Sequence, residues 1–238
     1  AVNAVAFPGT RLPRSTVTGP PVRESVLAVS REQEAQSSTR KSLGFDPARK
    51  LVVVTGGSLG AASINRAVIE LCSGWSERSD LGVYHLVGER NLTEMTRAAE
   101  AAGLLGIARD SLQYRIAGFD PELPAALAAG DVVVARAGAS TVAELAAIGA
   151  PSVLVPLPGA PSDHQVANAQ ALAREGAALH LPDAECTAKG LASLLEPLLD
   201  DPDRLEAMSR KARALGHRDA AVRVARLAES AARPARMG

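Results

Sequence analysis

Short runs of apolar, mostly β-branched residues that alternate with helical segments constrain the fold of this chain more than any other feature. Residues 51–55 read LVVVT, residues 131–135 read DVVVA and residues 152–155 read SVLV. Weaker runs lie at 82–87, 112–116 and 178–181, and helices are expected from residue 61, over 91–102 and over 122–129. Strands without polar alternation, separated by helices, are typical of a parallel sheet covered on both faces. The sequence therefore predicts an α/β fold, with a Rossmann-like parallel sheet and flanking helices.

The segment before this alternation has a different pattern. Residues 1–18 suggest two strands joined by a Pro/Gly loop, without the domain to which such strands would belong. Because the chain opens within that pattern and not on Met, we expect residues 1–18 to be the remnant of an amino-terminal domain. Residues 19–48 are predicted to be a linker, with a stiff turn at Gly19-Pro20-Pro21 and a polar surface helix at 31–43. The main domain is predicted over residues 49–238.

The segment from residue 187 onward is predicted to contain only helices, with breaks at Pro197, Pro202 and Gly216. Four leucines between residues 194 and 199 have helical spacing and are expected to pack back onto the sheet. Residues 219–232 form an amphipathic pattern with arginines on one side. Such a helix is expected to present a solvated face, and a partner surface is the alternative.

Charge, cysteine usage and the length of apolar runs give no support to several classes of function. Lys plus Arg and Asp plus Glu number 26 each, which gives no electrostatic reason to expect nucleic acid as a partner. Cys72 and Cys186 fit no zinc or redox spacing and are expected to be reduced and buried. No apolar run approaches the roughly 18 residues that a membrane-spanning helix requires. Neither a metal site nor a cofactor is predicted.

Polar residues cluster where the predicted strands end, which is where parallel α/β sheets bind ligands. The first cluster is the glycine-rich segment 55–61, TGGSLGA, between a strand and a helix. Its glycines allow a ligand to approach the backbone, and free N–H groups at the following helix start attract phosphate. A tight turn without a ligand is the alternative. The segment is not the G-x-G-x-x-G of dinucleotide binding, so NAD is not favoured.

The second cluster is residues 138–144, GASTVAE. Thr141 and Glu144 match a capping box, in which the carboxylate reaches back to the Thr141 backbone N–H. In the alternative, the Glu144 carboxylate accepts hydrogen bonds from two ribose hydroxyls. The sequence alone leaves both roles open.

The third cluster follows a proline-rich loop at 156–161 and includes Asp163, His164, Gln165 and Asn168. Gln165 and Asn168 are three residues apart and share a helix face. Neutral amides suit sugar hydroxyls because each amide offers both a donor and an acceptor. Asp163 and His164 do not form a catalytic dyad by adjacency, since neighbouring helix residues point about 100° apart. Together the clusters predict a nucleotide-sugar site.

These motifs resemble the carboxyl-terminal half of the MurG family, bacterial UDP-N-acetylglucosamine transferases that convert lipid I to lipid II in peptidoglycan synthesis. The matching pieces are FPGT at 7–10, GPPVR at 19–23, VVVTGGSLGA at 52–61, ARAGASTVAELAAIGAP at 135–151 and DHQVANAQAL at 163–172. They occur in the family's order and span nearly the whole chain. The resemblance implies the carboxyl-terminal domain of a two-domain GT-B glycosyltransferase that inverts the anomeric centre without a metal ion.

The resemblance also implies donor-binding roles for residues that match the family's motifs. Gly57, Ser58 and Gly60 would hold the diphosphate, and Arg23 would lie near the donor. Backbone groups of Phe119 and Asp120 would read the uracil edge. The α-helical segment Ala139, Ser140, Thr141 and Glu144 would line the nucleotide, with Glu144 on the ribose. His164, Gln165 and Asn168 would face the sugar.

Two departures from the family matter. Pro20 stands where the family often has Asn, and the family's amino-terminal glycine loop with its histidine is absent. The general base that deprotonates the acceptor hydroxyl is therefore expected in the missing domain, so no catalytic residue is predicted here and the chain alone is expected to be inactive. A natural donor-binding subunit with a separate acceptor chain, another GT-B transferase or a UDP-sugar epimerase are the alternatives. The resemblance implies UDP-GlcNAc and lipid I as partners, and a cytoplasmic position, peripheral on the inner face of the cell membrane.

Overall fold

The computed structural model describes residues 3–5, 15–106, 110–160 and 163–232. The described strands are β1 (Asn3–Val5), β2 (Ser15–Val17), β3 (Lys50–Thr55), β4 (Leu81–Leu86), β5 (Gln113–Ala117), β6 (Val132–Ala135), β7 (Ser152–Leu154) and β8 (Ala178–His180). The described helices are α1 (Glu24–Ala28), α2 (Gln33–Ser42), α3 (Ala62–Gly74), α4 (Leu92–Ala101), α5 (Leu123–Ala129), α6 (Ala139–Ile148), α7 (His164–Arg174), α8 (Ala188–Leu199), α9 (Pro202–Leu215) and α10 (Ala220–Ala232). The six strands predicted from the sequence are all present, each within one residue of its predicted bounds.

The main sheet contains six parallel strands in the order β5-β4-β3-β6-β7-β8. The chain therefore builds outward from β3 in one direction, and then returns to add β6, β7 and β8 on the other side. The order reverses between β3 and β6, and such a topological switch point opens a crevice at the carboxyl ends of the two strands. A separate parallel pair joins β1 to β2. The predicted FPGT motif at 7–10 and its loop lie outside the described residues.

Alternate residues of β3 supply two hydrophobic layers, one on each face of the sheet. Val52 and Val54 pack in the layer covered by α3, α4 and α8. Leu51 and Val53 pack in the layer covered by α5, α6 and α7. All four side chains are at most 1% exposed, which explains why this strand carries no polar alternation. The predicted parallel sheet with helices on both faces is confirmed.

The tail from residue 187 agrees with its prediction except at Pro197. The predicted break there is wrong, because Pro197 lies inside α8. The proline is exposed, as is Ser193 one turn earlier, so water can reach the carbonyl that loses its helical partner. Leu195, Leu198 and Leu199 are buried and Leu194 is partly buried against them, as predicted.

Residues 19–48 contain α1 and α2, which pack against the main sheet layers. Val26 of α1 is fully buried and Phe45 is 4% exposed. The predicted domain boundary at residue 49 stays a prediction. Cys72 and Cys186 are buried free thiols, as predicted. Burial raises the pKa of the Cys186 thiol to about 11, so it stays protonated at neutral pH.

The predicted surface helix at 31–43 is present as α2, but it carries one buried arginine. The Arg40 guanidinium donates to the carbonyl oxygen of Ala129 through Nε and Nη2, and pairs with the Asp131 carboxylate at 2.9 Å. Asp131 also accepts from the backbone N–H of Leu51 at 2.6 Å. Arg40 therefore joins the end of α5 to the starts of β3 and β6.

Replacing Arg40 with alanine is expected to lower the free energy of unfolding by about 2 kcal/mol. The loss is moderate because Asp131 keeps its hydrogen bond to Leu51 and is not left without a partner. Urea denaturation would measure it. Arg78→Ala is the matched control, because Arg78 pairs with Asp80 on the surface at 2.8 Å and should cost less than about 1 kcal/mol. Equal losses in the two variants would contradict this account of Arg40.

Candidate active site at the carboxyl edge of the sheet

Two of the predicted clusters meet at the switch point. Thr55 and Ala135 are paired residues at the ends of β3 and β6, so the loops that follow them start side by side. The first loop is the glycine segment that enters α3, and the second is the short connection 136–138 that enters α6. The folded chain thus brings the two segments together although about 80 residues of sequence separate them.

The glycine loop is held open by two left-handed glycines. Gly57 has a φ of +78° and Gly60 a φ of +72°. The backbone N–H of Gly57 donates to the Thr55 hydroxyl at 3.2 Å, and that of Gly60 donates to the Gly57 carbonyl at 2.9 Å. Ser58 is exposed at the tip of the loop. The loop therefore presents Ser58 and its backbone at the crevice.

A neighbouring asparagine supports the loop from behind. Nδ2 of Asn91 donates to the carbonyl oxygen of Leu59 at 3.2 Å and to that of Val87 at 2.8 Å. A Cβ on Gly60 would lie 2.1 Å from that nitrogen and 2.3 Å from the Val87 oxygen. Only glycine fits this position, both for space and for its positive φ.

The start of α6 overturns the capping role that the sequence suggested for Glu144. Gly138 is the N-cap, with an extended backbone, and Thr141 is already the third helical residue. A capping box needs the hydroxyl residue at the N-cap itself, so Thr141 and Glu144 cannot form one. Ala139 and Ser140 are exposed at the crevice, and Thr141 is half-buried.

The first turns of α3 and α6 contain no acidic residue. Their unpaired N–H groups and helix dipoles therefore make this part of the crevice favourable for an anion.

The Glu144 carboxylate is instead paired with Arg23. Nε and Nη2 of Arg23 both approach Oε1 of Glu144, at 3.2 and 3.1 Å. The Glu144 side chain is 13% exposed and that of Arg23 is 60% exposed. The sequence predicted both residues for the site but not their contact.

Arg136 is a residue that the sequence argument missed. Its Nη1 pairs with Asp183 at 2.5 Å and donates to the carbonyls of Val155 and Pro156, while Nη2 donates to the Ser63 hydroxyl at 3.0 Å. Arg136 therefore ties the ends of β6 and β7 to the first turn of α3 and to the turn after β8. An arginine directly after a buried strand was the only signal available, because its partners are distant in sequence.

The third cluster lies at the start of α7. Oε1 of Gln165 accepts from the backbone N–H of Leu157 at 3.0 Å, so Gln165 braces the proline-rich loop. Nδ2 of Asn168 donates to the carbonyl of Ala137 at 3.0 Å, and this side chain is only 8% exposed. Asn168 therefore supports the connection between β6 and α6. His164 is exposed, and the contacts of all three with a sugar stay predictions.

The Phe119–Asp120 segment follows β5, at the far edge of the sheet. Phe119 is 62% exposed. The Asp120 carboxylate accepts from the Tyr84 hydroxyl and from the Glu122 backbone N–H, both at 2.8 Å. Burial, followed by this contact, raises the pKa of Tyr84 above its usual range. The loop is thereby held in place, and its predicted contact with uracil stays a prediction.

A cavity of about 420 Å³ lies between α6 and α7, and Asn168 of the third cluster is part of its lining. Apolar side chains, such as Val142, Ala146, Leu172 and Leu215, line most of it. A nucleotide diphosphate is favoured by backbone N–H groups at helix starts, which the strand ends supply, whereas this cavity is lined along the sides of two helices, with Arg174 beside Glu175 at its edge. We therefore place the candidate site at the strand ends.

Comparison with known proteins decides the family. Residues 51–224 match the glycosyltransferase family 28 C-terminal domain. The chain belongs to this glycosyltransferase family. The predicted resemblance to the carboxyl-terminal half of MurG proteins is also confirmed.

Several curated relatives carry the name UDP-N-acetylglucosamine–N-acetylmuramyl-(pentapeptide) pyrophosphoryl-undecaprenol N-acetylglucosamine transferase. The one from Alkalilimnicola ehrlichii is 42% identical over 215 residues, which is 90% of this chain and 56% of the relative. The one from Clavibacter michiganensis is 35% identical over 239 residues, covering 99% of this chain and 61% of the relative. This family 28 chain thus spans little more than half the length of these relatives.

A solved structure supports the same assignment. The crystal structure of Acinetobacter baumannii MurG is similar with a TM-score of 0.75 at 27% identity, over 96% of this chain and 60% of that one. A UDP-GlcNAc 2-epimerase from Neisseria meningitidis shares the fold alone, with a TM-score of 0.52 at 9% identity, over 82% of this chain and 48% of that one. The predicted carboxyl-terminal domain of a GT-B fold is confirmed.

The described residues contain no group of three or more His, Cys, Asp or Glu side chains placed to hold a metal ion. None of the helices described here combines the length and the apolar character that crossing a bilayer requires.

Proposed function

We propose that this chain binds UDP-N-acetylglucosamine and forms the donor half of a glycosyltransferase that converts lipid I to lipid II. The observation that carries the proposal is the meeting, at one switch point, of the glycine loop and the start of α6, the helix that carries Glu144. Membership of glycosyltransferase family 28 and the names of the curated relatives support it.

In this proposal, different residues bind the diphosphate, the ribose, the sugar and the uracil of the donor. In this proposal the N–H groups of the glycine loop and of the first turn of α6 bind the diphosphate, with the Ser58 hydroxyl beside them. Glu144 accepts hydrogen bonds from the ribose hydroxyls. The amide NH₂ of Gln165, whose oxygen already holds Leu157, faces the sugar. Phe119 and Asp120 offer their backbone to the uracil.

The acceptor is bound, in this proposal, by a second domain outside residues 1–238, on the same or on another polypeptide. That domain would supply the general base that removes the proton from the acceptor hydroxyl. His85 of this chain is unsuited to that role, because it is fully buried and burial lowers its pKa to about 3. The lipid acceptor would place the complete enzyme at the inner face of the cell membrane, and this chain alone would show little or no transfer.

Isothermal calorimetry with UDP and UDP-GlcNAc tests donor binding. Glu144→Ala is expected to weaken UDP binding about tenfold or more, since hydrogen bonds to a charged group contribute roughly 1.5–3 kcal/mol each. Glu94→Ala, on the exposed face of α4, is the matched control and should leave the affinity unchanged. Unchanged UDP affinity in a folded Glu144→Ala protein would contradict the ribose role. If another UDP-sugar binds as tightly as UDP-GlcNAc, the result would favour another GT-B transferase or a UDP-sugar epimerase over the proposed function.

A further inference from the structure

The contact between Arg23 and Glu144 has an unusual geometry. Nε and Nη2 of the guanidinium converge on the same carboxylate oxygen, Oε1. Within the described part of the chain, the hydrogen bonds that this carboxylate accepts all end on Oε1. The second oxygen, Oε2, thus stays available for a ligand while the first is held.

Arg23 is delivered to this contact by a fixed helix and not by a loose linker. It is the N-cap of α1, whose Val26 is fully buried in the layer that also contains Val142 and Leu145 of α6. The Arg218 guanidinium joins the same two helices further along, because it donates to the carbonyls of Leu27 and Ala147 at 2.6 and 2.8 Å. Helix α1 therefore lies along α6 and presents Arg23 opposite Glu144.

We propose that Arg23 is a positioning residue that orients the Glu144 carboxylate for the donor ribose. The proposal rests on the proposed function above, in which Glu144 binds the ribose hydroxyls. It assigns Arg23 a specific role that the resemblance to the family did not imply, since that resemblance placed Arg23 only near the donor. A direct contact of the guanidinium with the diphosphate is the alternative role. The two roles predict different losses of affinity when Arg23 is replaced: the positioning role affects the contribution of the ribose, and the direct role affects that of the diphosphate.

A carboxylate held at one oxygen loses little side-chain freedom when a ligand binds at the other oxygen. Without the guanidinium, Glu144 must be ordered by the ribose itself, and its hydrogen bonds to the hydroxyls weaken. The loss should therefore appear as poorer discrimination between ribose and deoxyribose. If Arg23 instead contacted the diphosphate directly, its loss would weaken the binding of all diphosphate ligands by the same factor.

The experiment compares the affinities of UDP, 2′-deoxy-UDP and uridine for the full 238-residue chain. The variants are Arg23→Gln, Glu144→Gln and their combination, with Arg78→Gln as the matched control on another ion-paired arginine. Calorimetry measures the diphosphates, and chemical shifts in a nuclear magnetic resonance titration measure uridine. Circular dichroism and thermal unfolding confirm that each variant is folded.

The expected result is a preference of about tenfold or more for UDP over 2′-deoxy-UDP in the unmodified chain and in Arg78→Gln. That preference should fall below about threefold in Arg23→Gln, and this variant should also bind uridine more weakly. The double variant should bind UDP no more weakly than Glu144→Gln alone. Arg23→Gln that weakens UDP and 2′-deoxy-UDP by one factor, and leaves uridine unchanged, would overturn the positioning role only. No preference in the unmodified chain, and no effect of Glu144→Gln, would overturn the ribose role of Glu144 and the inference with it.

Discussion

Lowering the pH from 6.5 to 4 is expected to remove roughly 3 kcal/mol from the free energy of unfolding through one buried imidazole. His85 lies in β4 with no exposed surface, and burial lowers its pKa from 6.5 to about 3. The unfolded chain therefore binds a proton at His85 as the pH falls below about 6.5, while the folded chain does not. The stability that depends on the neutral imidazole is complete above that pH and decreases by about 1.4 kcal/mol per unit below it.

The hydrogen bonds of His85 account for its neutral form. Nδ1 lies 2.8 Å from the Tyr114 hydroxyl, and Nε2 lies 3.2 Å from Oδ1 of Asn65. Nδ2 of Asn65 donates to the Val87 carbonyl, so its Oδ1 faces the imidazole as an acceptor. The proton therefore resides on Nε2, and Tyr114 donates to Nδ1.

Denaturant unfolding at several pH values measures the free energy of unfolding. Because the carboxylates of the chain add their own pH dependence, a comparison with a variant is needed. The difference between the unmodified chain and His85→Gln isolates the imidazole, with His180→Gln as a control on a partly exposed histidine. If His85→Gln does not fold, the imidazole proton resonances of His85 can be followed in the unmodified chain. Titration of those resonances near pH 6.5 in the folded state would contradict this account.

Replacing Gly60 with alanine is expected to abolish measurable donor binding and to cost about 3 kcal/mol of stability. The new Cβ would overlap Nδ2 of Asn91 and the Val87 carbonyl, at 2.1 and 2.3 Å, in a backbone with φ of +72°. The loop must then shift as a whole, and Asn91 loses its hydrogen bond to Leu59. Calorimetry with UDP and urea denaturation measure the two losses.

Two other glycines separate crowding from backbone strain. Gly103 has a φ of +71° and Gly57 a φ of +78°, and neither would place a Cβ within 4 Å of another group. Alanine at Gly103, far from the site, should cost about 1 kcal/mol and leave UDP affinity intact. Alanine at Gly57 should cost a similar amount of stability. Equal stability losses at Gly60 and Gly103 would show that crowding at Asn91 is not what holds the loop.

The sequence predicted the strands well because their signal is local. Short runs of buried, mostly β-branched residues such as 51–55 are typical of the central strands of a parallel sheet. The glycine loop was predictable for the same reason, as it directly follows such a strand. The break at Pro197 was wrong because a proline at an exposed position near a helix end is tolerated, and exposure is a tertiary property.

The sequence predicted which residues lie in the candidate site, but not which side chains contact one another there. Glu144 matched a capping box locally, and only the position of Gly138 as N-cap and the approach of Arg23 exclude that role. Arg136 was missed because Ser63 and Asp183, its partners, come from other strand ends. The neutral state of His85 depends on Asn65 and Tyr114 in the same way. Each of these contacts follows from the strand order, which the motifs alone do not encode.

The most direct test of the proposed donor site is a map of backbone amide chemical shifts as UDP-GlcNAc is titrated into the ¹⁵N-labelled chain. The largest changes are expected at residues 57–62 and 138–142, whose N–H groups border the switch point, with a smaller response at Arg23 and Glu144. The same titration with N-acetylglucosamine alone should leave those amides nearly unmoved. Changes centred instead on the cavity between α6 and α7, at Ala146 and Ala171, would contradict donor binding at the carboxyl edge of the sheet.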